Sequence, residues 1–295
     1  MSHKVTIWGG SRFTYEFVKK ILSNKSLIIT NIITTNKKTI YKRLFNLLKS
    51  NNIPFTDIPT VTQKYNIVAS YGRYIKSSIF DKQGTHFVNV HPSLLPKYRG
   101  ANPIIGSLLG MESQTGITFH KMSKKIDEGP IYKQYPYQIK SRDTALTLEI
   151  QLAKLGALYI PYIIENIQLL KPYKQGMNAS YTSRTLTNME NSQINWRRGI
   201  KYINYFVRAY YNNPIAWSFI NKKIIKIFPG EFTEEKTKYT PGQIILSKVA
   251  PYVKIACKDG CLLPDFVHIE GKRKLNTREF SNGYHNLNGI ILNKS

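Results

Sequence analysis

Cysteine is scarce in this chain of 295 residues, which has only Cys257 and Cys261. Their CKDGC spacing has no second Cys or His pair to complete a tetrahedral zinc site, so both read as reduced thiols and no metal site is expected. Long apolar runs are lacking as well. No stretch nears the roughly 20 uninterrupted apolar residues that a membrane helix needs, and the opening MSHKVTIWGG has neither the apolar run nor the cleavage site of a secretion signal. A chain with no membrane partner is expected, in the cytoplasm or, had a transit peptide been removed, in an organelle matrix. Acidic residues are the third shortage: 17 Asp and Glu face 43 Lys and Arg, a net charge of +26. Such an excess attracts polyanions. It also arises by drift toward Lys, Asn, Ile and Tyr. The excess is not a tail, since residues 1–171 carry 24 basic and 9 acidic side chains and residues 172–295 carry 19 and 8. Between Glu16 and Asp57 no acidic residue occurs, while Lys37, Lys38, Lys42 and Arg43 fall close together.

With 42% hydrophobic residues the chain can bury two cores. In the first half, short apolar runs alternate with helix-like stretches: KVTIW, FTYEFVKKIL, SLIITNIIT, TIYKRLFNLLKS, YNIVAS and THFVNVH. This is the pattern of an α/β domain with an open, mostly parallel, Rossmann-like sheet. TGITFHKM and PIYKQYPYQIK read as two strands leading away from that sheet. Leu148, Leu152, Leu155 and Tyr159 share one face of a following helix, with Pro161 as a kink or stop. Residues 172–195 are polar and aperiodic and read as a linker between a first domain at 1–171 and a second at 196–295. In the second, one helix over 197–210 precedes short strands separated by Pro and Gly turns, which suggests a small, separate barrel.

The chemistry concentrates in FVNVHPSLLPKYRG and the later KIDEGPI. Strand residues two apart share a face, so Asn89 and His91 project together, at the strand end where open α/β sheets bind ligands. Pro92 ends strand pairing, and Leu94 and Leu95 are placed to line an apolar slot. The turn from Ile126 through Asp127 and Glu128 to Gly129 and Pro130 brings a carboxylate on a loop that can approach a histidine of another strand. These groups suit acyl transfer to an amine without a covalent enzyme intermediate. The Asn89 amide can donate to an oxyanion, His91 can move a proton near neutral pH, and Asp127 can orient it or raise its pKa. Tyr98 and Arg99 read equally well as ordinary loop residues, and His120, on an alternating strand, reads as packing or surface. Gly9-Gly10-Ser11-Arg12 lacks the G-x-G-x-x-G spacing, which disfavours NAD.

The block from Asn89 to Gly100 and the turn from Asp127 to Ile131 resemble the signature of the folate-dependent formyltransferase family. That resemblance implies 10-formyltetrahydrofolate as co-substrate and Asn89, His91 and Asp127 as the reaction centre. It further implies a folate pocket drawn from Tyr71, Gly72, Arg73, Ser93, Leu94, Leu95, Pro96, Ile126 and Gly129. INW at 194–196, VRAYYNNPIAW, PGQIILS and the stretch from Asp259 to Gly283 resemble the C-terminal domain of the methionyl-tRNA formyltransferases, a small OB-like barrel. This implies methionyl-tRNA as acceptor and partner, with Lys222, Lys223, Lys226, Lys272, Arg273 and Lys274 facing phosphate, and a monomer is expected. Two departures keep the acceptor open. The family's G-T-P-x-F-A turn is here Gly9-Gly10-Ser11-Arg12-Phe13-Thr14, and its long loop after the second strand is here the short Thr35-Asn36-Lys37-Lys38-Thr39, in whose place Lys37, Lys38, Lys42 and Arg43 are expected to bind phosphate. Relatives that formylate an amino sugar on a nucleotide carrier share the same block and are the alternative. A third is an RNA-binding protein that has kept the fold and lost the reaction, against which the intact Asn89, His91 and Asp127 stand.

Overall fold

The first strands are rich in apolar and β-branched residues, which suits burial on both faces of a parallel sheet. The computed structural model describes residues 3–25, 27–36, 38–212, 214–235 and 238–292. Strand β1 (His3–Trp8) is followed by α1 (Arg12–Asn24), β2 (Leu27–Ile33), α2 (Lys42–Ser50), β3 (Phe55–Thr56), β4 (Tyr65–Val68), α3 (Ser77–Phe80) and β5 (His86–His91). After these come β6 (Arg99–Gly100), α4 (Pro103–Leu109), β7 (Gln114–Lys121), β8 (Ile131–Gln138), α5 (Ala145–Asn166) and β9 (Tyr181–Thr182). Seven strands form one sheet in the order β3-β2-β1-β4-β5-β7-β8, parallel from β3 to β5. Val5, Ile7, Trp8, Ile32, Ile33 and Ile67 have no exposed surface, and each such side chain contributes roughly 1.5–3 kcal/mol by leaving water.

TGITFHKM and PIYKQYPYQIK do not leave the sheet. They extend it as the antiparallel pair β7 and β8, with Asn89 opposite His120 and His91 opposite Thr118. The two strands run antiparallel, so the connection over residues 122–130 suffices to join them. Helix α5 passes through Pro161 without ending there, so the apolar face that begins at Leu148 outweighs the backbone bond that proline cannot donate.

Ser11 caps α1 in a capping box with Thr14, and Phe13, Phe17, Val18 and Ile21 turn inward. The Glu149 carboxylate accepts the Phe13 N–H at 3.1 Å and stands 3.8 Å from Arg12. In dinucleotide folds this helix end receives a phosphate. Here a carboxylate takes that place.

The chain divides into one compact unit of Met1–Ile104, Ser113–Ile139 and Thr147–Ser183 and a second of Ile105–Glu112, Lys140–Leu146 and Arg184–Ser295. Residues 173–183, polar and aperiodic in sequence, are anchored within the first: Ile131 and Tyr173 exchange backbone bonds, and β9 pairs in parallel with β6. In the second unit, α6 (Ile200–Ala209) precedes β10 (Trp217–Ile220), β11 (Lys223–Ile227), β12 (Gly230–Thr233), β13 (Ile244–Leu246), β14 (Val253–Ala256), β15 (Cys261–Pro264), β16 (Phe266–Ile269) and β17 (Leu275–Asn276), then α7 (Thr277–Gly283). Two four-stranded antiparallel sheets result, β10-β11-β16-β17 and β12-β15-β14-β13. Short links at 228–229 and at Asp265 carry the chain from one sheet to the other, as in small barrels. Both cysteines are buried free thiols.

Candidate active site

Asn89 and His91 leave β5 on one face, two residues apart, where the strand meets Pro92. Asp127 reaches them from the turn between β7 and β8. Its Oδ1 accepts from Asn89 Nδ2 at 2.9 Å, its Oδ2 accepts the Gly100 N–H at 2.8 Å, and Oδ2 lies 3.5 Å from His91 Nδ1. The three predicted centre residues are therefore brought together. The His91 and Asp127 side chains are only 5% and 10% exposed, so their charges act in a weakly screened setting.

His120 joins them, which corrects its reading as packing or surface. It is buried, its Nε2 lies 2.9 Å from Asn89 Nδ2, and its Nδ1 lies 3.0 Å from the Lys121 carbonyl. A carbonyl only accepts, so Nδ1 carries the proton and Nε2 accepts from Asn89. Both Asn89 amide hydrogens are thus engaged, one by His120 and one by Asp127. His91 Nε2 likewise donates to the Tyr98 carbonyl at 2.9 Å, which leaves the Nδ1 lone pair facing Asp127.

Burial pushes the His91 pKa below its ordinary value, and the attraction of Asp127 only partly opposes this. Burial alone would raise the Asp127 carboxyl, but His91, the His120 ring 3.5 Å away and the bond from the Gly100 N–H outweigh it and hold the group well below the usual carboxylate range. At neutral pH the pair is a neutral imidazole beside a carboxylate. Asp127 is too weak a base to take a proton there. His91 Nδ1 is the basic atom, and a proton arriving on it becomes a charge-assisted bond to Asp127.

The surrounding turn has its own supports. Thr118 Oγ1 donates to the Ser93 carbonyl at 2.6 Å and accepts from Leu95 N at 3.0 Å and Gln134 Nε2 at 2.9 Å. Ser93 has no exposed surface, its hydroxyl donates to the Lys97 carbonyl at 2.7 Å, and Leu95 is buried. Ser93 and Leu95 therefore shape the turn from within, while Leu94 and Pro96 remain partly accessible. Tyr71 is packed edge-on against Trp8 at 5.4 Å in an apolar cluster with Ile75, Phe80 and Phe87, and Met122, just before the 123–129 segment, packs on the same cluster. Gly72, Arg73 and Ile126 are exposed. A Cβ at Gly129 would collide with the Lys121 carbonyl oxygen, so this position admits only glycine.

Lys38, Lys42 and Arg43 are exposed around the start of α2, and Lys37 lies outside the described residues. In the second unit, Glu270 N donates to the Ile224 carbonyl and Ile225 pairs with Ile269. That register brings the β10–β11 turn with Lys222 and Lys223 and the β16–β17 turn with Lys272 and Arg273 to one end of one sheet. Lys274 instead folds over Phe228 and Phe266, with Nζ 3.9 and 4.3 Å from the ring centres.

Asn89, His91, His120 and Asp127 thus form one connected polar cluster at the end of β5 in a Rossmann-like sheet. The chain belongs to the formyl transferase family. A formyl transferase model matches residues 21–164, and a model of the formyl transferase C-terminal domain matches residues 187–285. The methionyl-tRNA formyltransferase of Dictyoglomus thermophilum is 35% identical over 243 residues, covering 80% of this chain and 77% of that protein. That of Ehrlichia canis is 29% identical over 311 residues, covering 98% and 99%. Among solved structures, the N-formyltransferase of Helicobacter canadensis in complex with folinic acid and dTDP-3-aminofucose aligns with a TM-score of 0.66 at 24% identity, over 93% of this chain and 100% of that one. The methionyl-tRNA formyltransferase of Clostridium thermocellum aligns with a TM-score of 0.56 at 20% identity, over 80% and 96%. The protein is a formyltransferase, and its co-substrate is a formyltetrahydrofolate.

Proposed function

We propose that this enzyme transfers the formyl group of 10-formyltetrahydrofolate to the amino group of methionyl-tRNA, with Asn89, His91 and Asp127 as its reaction centre. The observation that carries the chemistry is the carboxylate of Asp127 bonded to Asn89 and facing the bare Nδ1 of His91. The acceptor nitrogen attacks the formyl carbon, the carbonyl oxygen takes the negative charge, and the bond to the folate nitrogen breaks as that nitrogen is protonated. The proton lost by the amine passes to His91 Nδ1, where Asp127 stabilises the cation, and returns to the leaving nitrogen. Asn89 donates to the oxyanion by releasing one engaged hydrogen. The bond to the His120 ring nitrogen is weaker than the charge-assisted bond to the Asp127 carboxylate, so it is the one exchanged. The folate pocket is assigned to Tyr71, Gly72, Arg73, Leu94, Pro96, Ile126 and Gly129, with Ser93 and Leu95 holding its shape.

The acceptor assignment rests on the convergence of Lys222, Lys223, Lys272 and Arg273 at one sheet end, on the exposed Lys38, Lys42 and Arg43, and on the names of the relatives 35% and 29% identical. Each phosphate met by such a group releases counterions. A second reading, formylation of an amino-sugar nucleotide, is favoured by the short connection over residues 34–41 and by the sugar complex among similar folds. Purified protein given 10-formyltetrahydrofolate with either methionyl-tRNA or a 4-amino-4-deoxy sugar nucleotide separates the two. Formylation of the sugar alone would overturn the tRNA assignment.

A further inference from the structure

The Asp127 turn has an unusual backbone. Asp127 has φ of 55°, the left-handed region that glycine adopts freely and aspartate at some cost, which bonds from its surroundings offset. The holding groups come from the segment after α5. Gln175 Nε2 donates to the carbonyls of Asp127 at 2.6 Å and Gly129 at 2.9 Å, bracketing the turn. Gln175 Oε1 accepts from Arg99 Nε at 3.0 Å and Nη2 at 2.8 Å. All four capacities of that amide face fixed partners. Arg99 is buried and also donates through Nη1 to the Tyr181 hydroxyl at 2.8 Å, which itself donates to Glu128 Oε1 at 2.9 Å.

A closed circuit results. From the Asp127 carbonyl the bonds run through Gln175 to Arg99, along the chain to Gly100, and through its N–H to Asp127 Oδ2. The backbone and the carboxylate of Asp127 are thereby tied to the same Arg99-Gly100 dipeptide, which fixes both the position of the turn and the direction of the side chain. Gln175 bonds to no ring or carboxylate of the centre, so its influence passes through the backbone.

We propose that Gln175, braced by Arg99, is a positioning residue that sets the Asp127 turn for formyl transfer; this rests on the reading of Asp127 as part of the reaction centre. Gln175→Glu is the sharpest test. It preserves size and the acceptor for Arg99 but turns an oxygen toward two carbonyl oxygens. Gln175→Met, which removes both sets of bonds, is the second variant, and Asp127→Asn supplies the reference background. Loss of one or two well-made hydrogen bonds predicts a kcat lower by about 10-fold or more, with KM for formyltetrahydrofolate changed by less than about threefold. The thermal midpoint of Gln175→Glu stays near that of the parent, and neither variant lowers kcat further when Asp127 is already Asn. The His91 ring titration, followed by NMR without substrate, moves to lower pH as the Asp127 carboxylate loses its alignment.

Unchanged kcat and unchanged His91 titration in both variants, while Asp127→Asn alone lowers kcat about 100-fold or more, would overturn the positioning role and leave the reaction centre standing. A full additional loss in the Asp127→Asn background, or activity that falls only in step with lost folded protein, would overturn it too. Normal turnover in Asp127→Asn itself would instead remove the reading on which the proposal stands.

Discussion

Asp127→Asn conserves volume and removes one charge, so its effect can be built from the contacts of the carboxylate. Oδ1 and Oδ2 each accept a hydrogen bond, from Asn89 and from Gly100 N–H, and Oδ2 faces His91 Nδ1. A carboxamide offers one acceptor oxygen. Its NH2 must therefore oppose either the Asn89 amide or the Gly100 N–H, leaving two donors face to face. Loss of a hydrogen bond to a charged acceptor costs about 1.5–3 kcal/mol, a factor of roughly 10 to 150 in rate if it is felt in the transition state. The imidazolium formed at His91 also loses its counter-charge, which takes the expected fall in kcat to about 100-fold or more. Steady-state formylation with a labelled donor reads this directly, and circular dichroism checks that the variant is folded. Turnover within about threefold of the parent in a folded variant would refute the assignment of proton transfer to this pair.

The same pair sets the pH dependence. His91 must be neutral to accept a proton, and burial places its pKa below the ordinary 6.5, so kcat/KM should rise with pH through a midpoint under that value and be flat at neutrality. In Asp127→Asn the midpoint should fall further, because the carboxylate is the strongest of the influences that raise the His91 pKa. Stability has the same sign. Between the folded His91 pKa and its unfolded value the unfolded chain binds more protons, so the fold loses stability as pH drops through that window, and Asp127 adds a further loss only below the ordinary carboxylate range.

Gly129→Ala should cut turnover by at least about tenfold, since the new methyl group meets the Lys121 carbonyl and must displace the turn that carries Asp127; wild-type kinetics would show that the turn absorbs it elsewhere. Replacing Lys222, Lys223, Lys272 and Arg273 together by Ala should weaken methionyl-tRNA binding and reduce the steepness of its logarithmic salt dependence by up to about 3 to 4, and an unchanged slope would place the tRNA elsewhere. Cys257, whose thiol burial pushes up to about 12, and Cys261, raised by burial as well, should resist a thiol reagent in the native protein and react on unfolding; rapid native labelling would contradict their burial.

Which parts of this site a sequence can reveal follows from how far each contact reaches along the chain. Asn89 and His91 are legible because strand periodicity is local, and two residues apart on β5 means one face. The alternation of strands and helices up to β5 is legible for the same reason. His120 carries no such mark. Its place beside Asn89 depends on the register of β5 against β7, and a slip of one residue would have sent it to the opposite face. The antiparallel addition of β7 and β8 to the sheet is equally a matter of pairing, which apolar alternation does not encode. Gln175 is further out of reach: it lies in a polar, aperiodic stretch that reads as a linker, and only its bonds to the carbonyls of Asp127 and Gly129 reveal its contact with the centre. The residues that the sequence displays are thus those set by strand periodicity, while their partners His120 and Gln175 are hidden in tertiary contacts. The tie between the 173–183 segment and the 126–129 turn is accordingly visible only in its bonds, and its composition gives no guide to it.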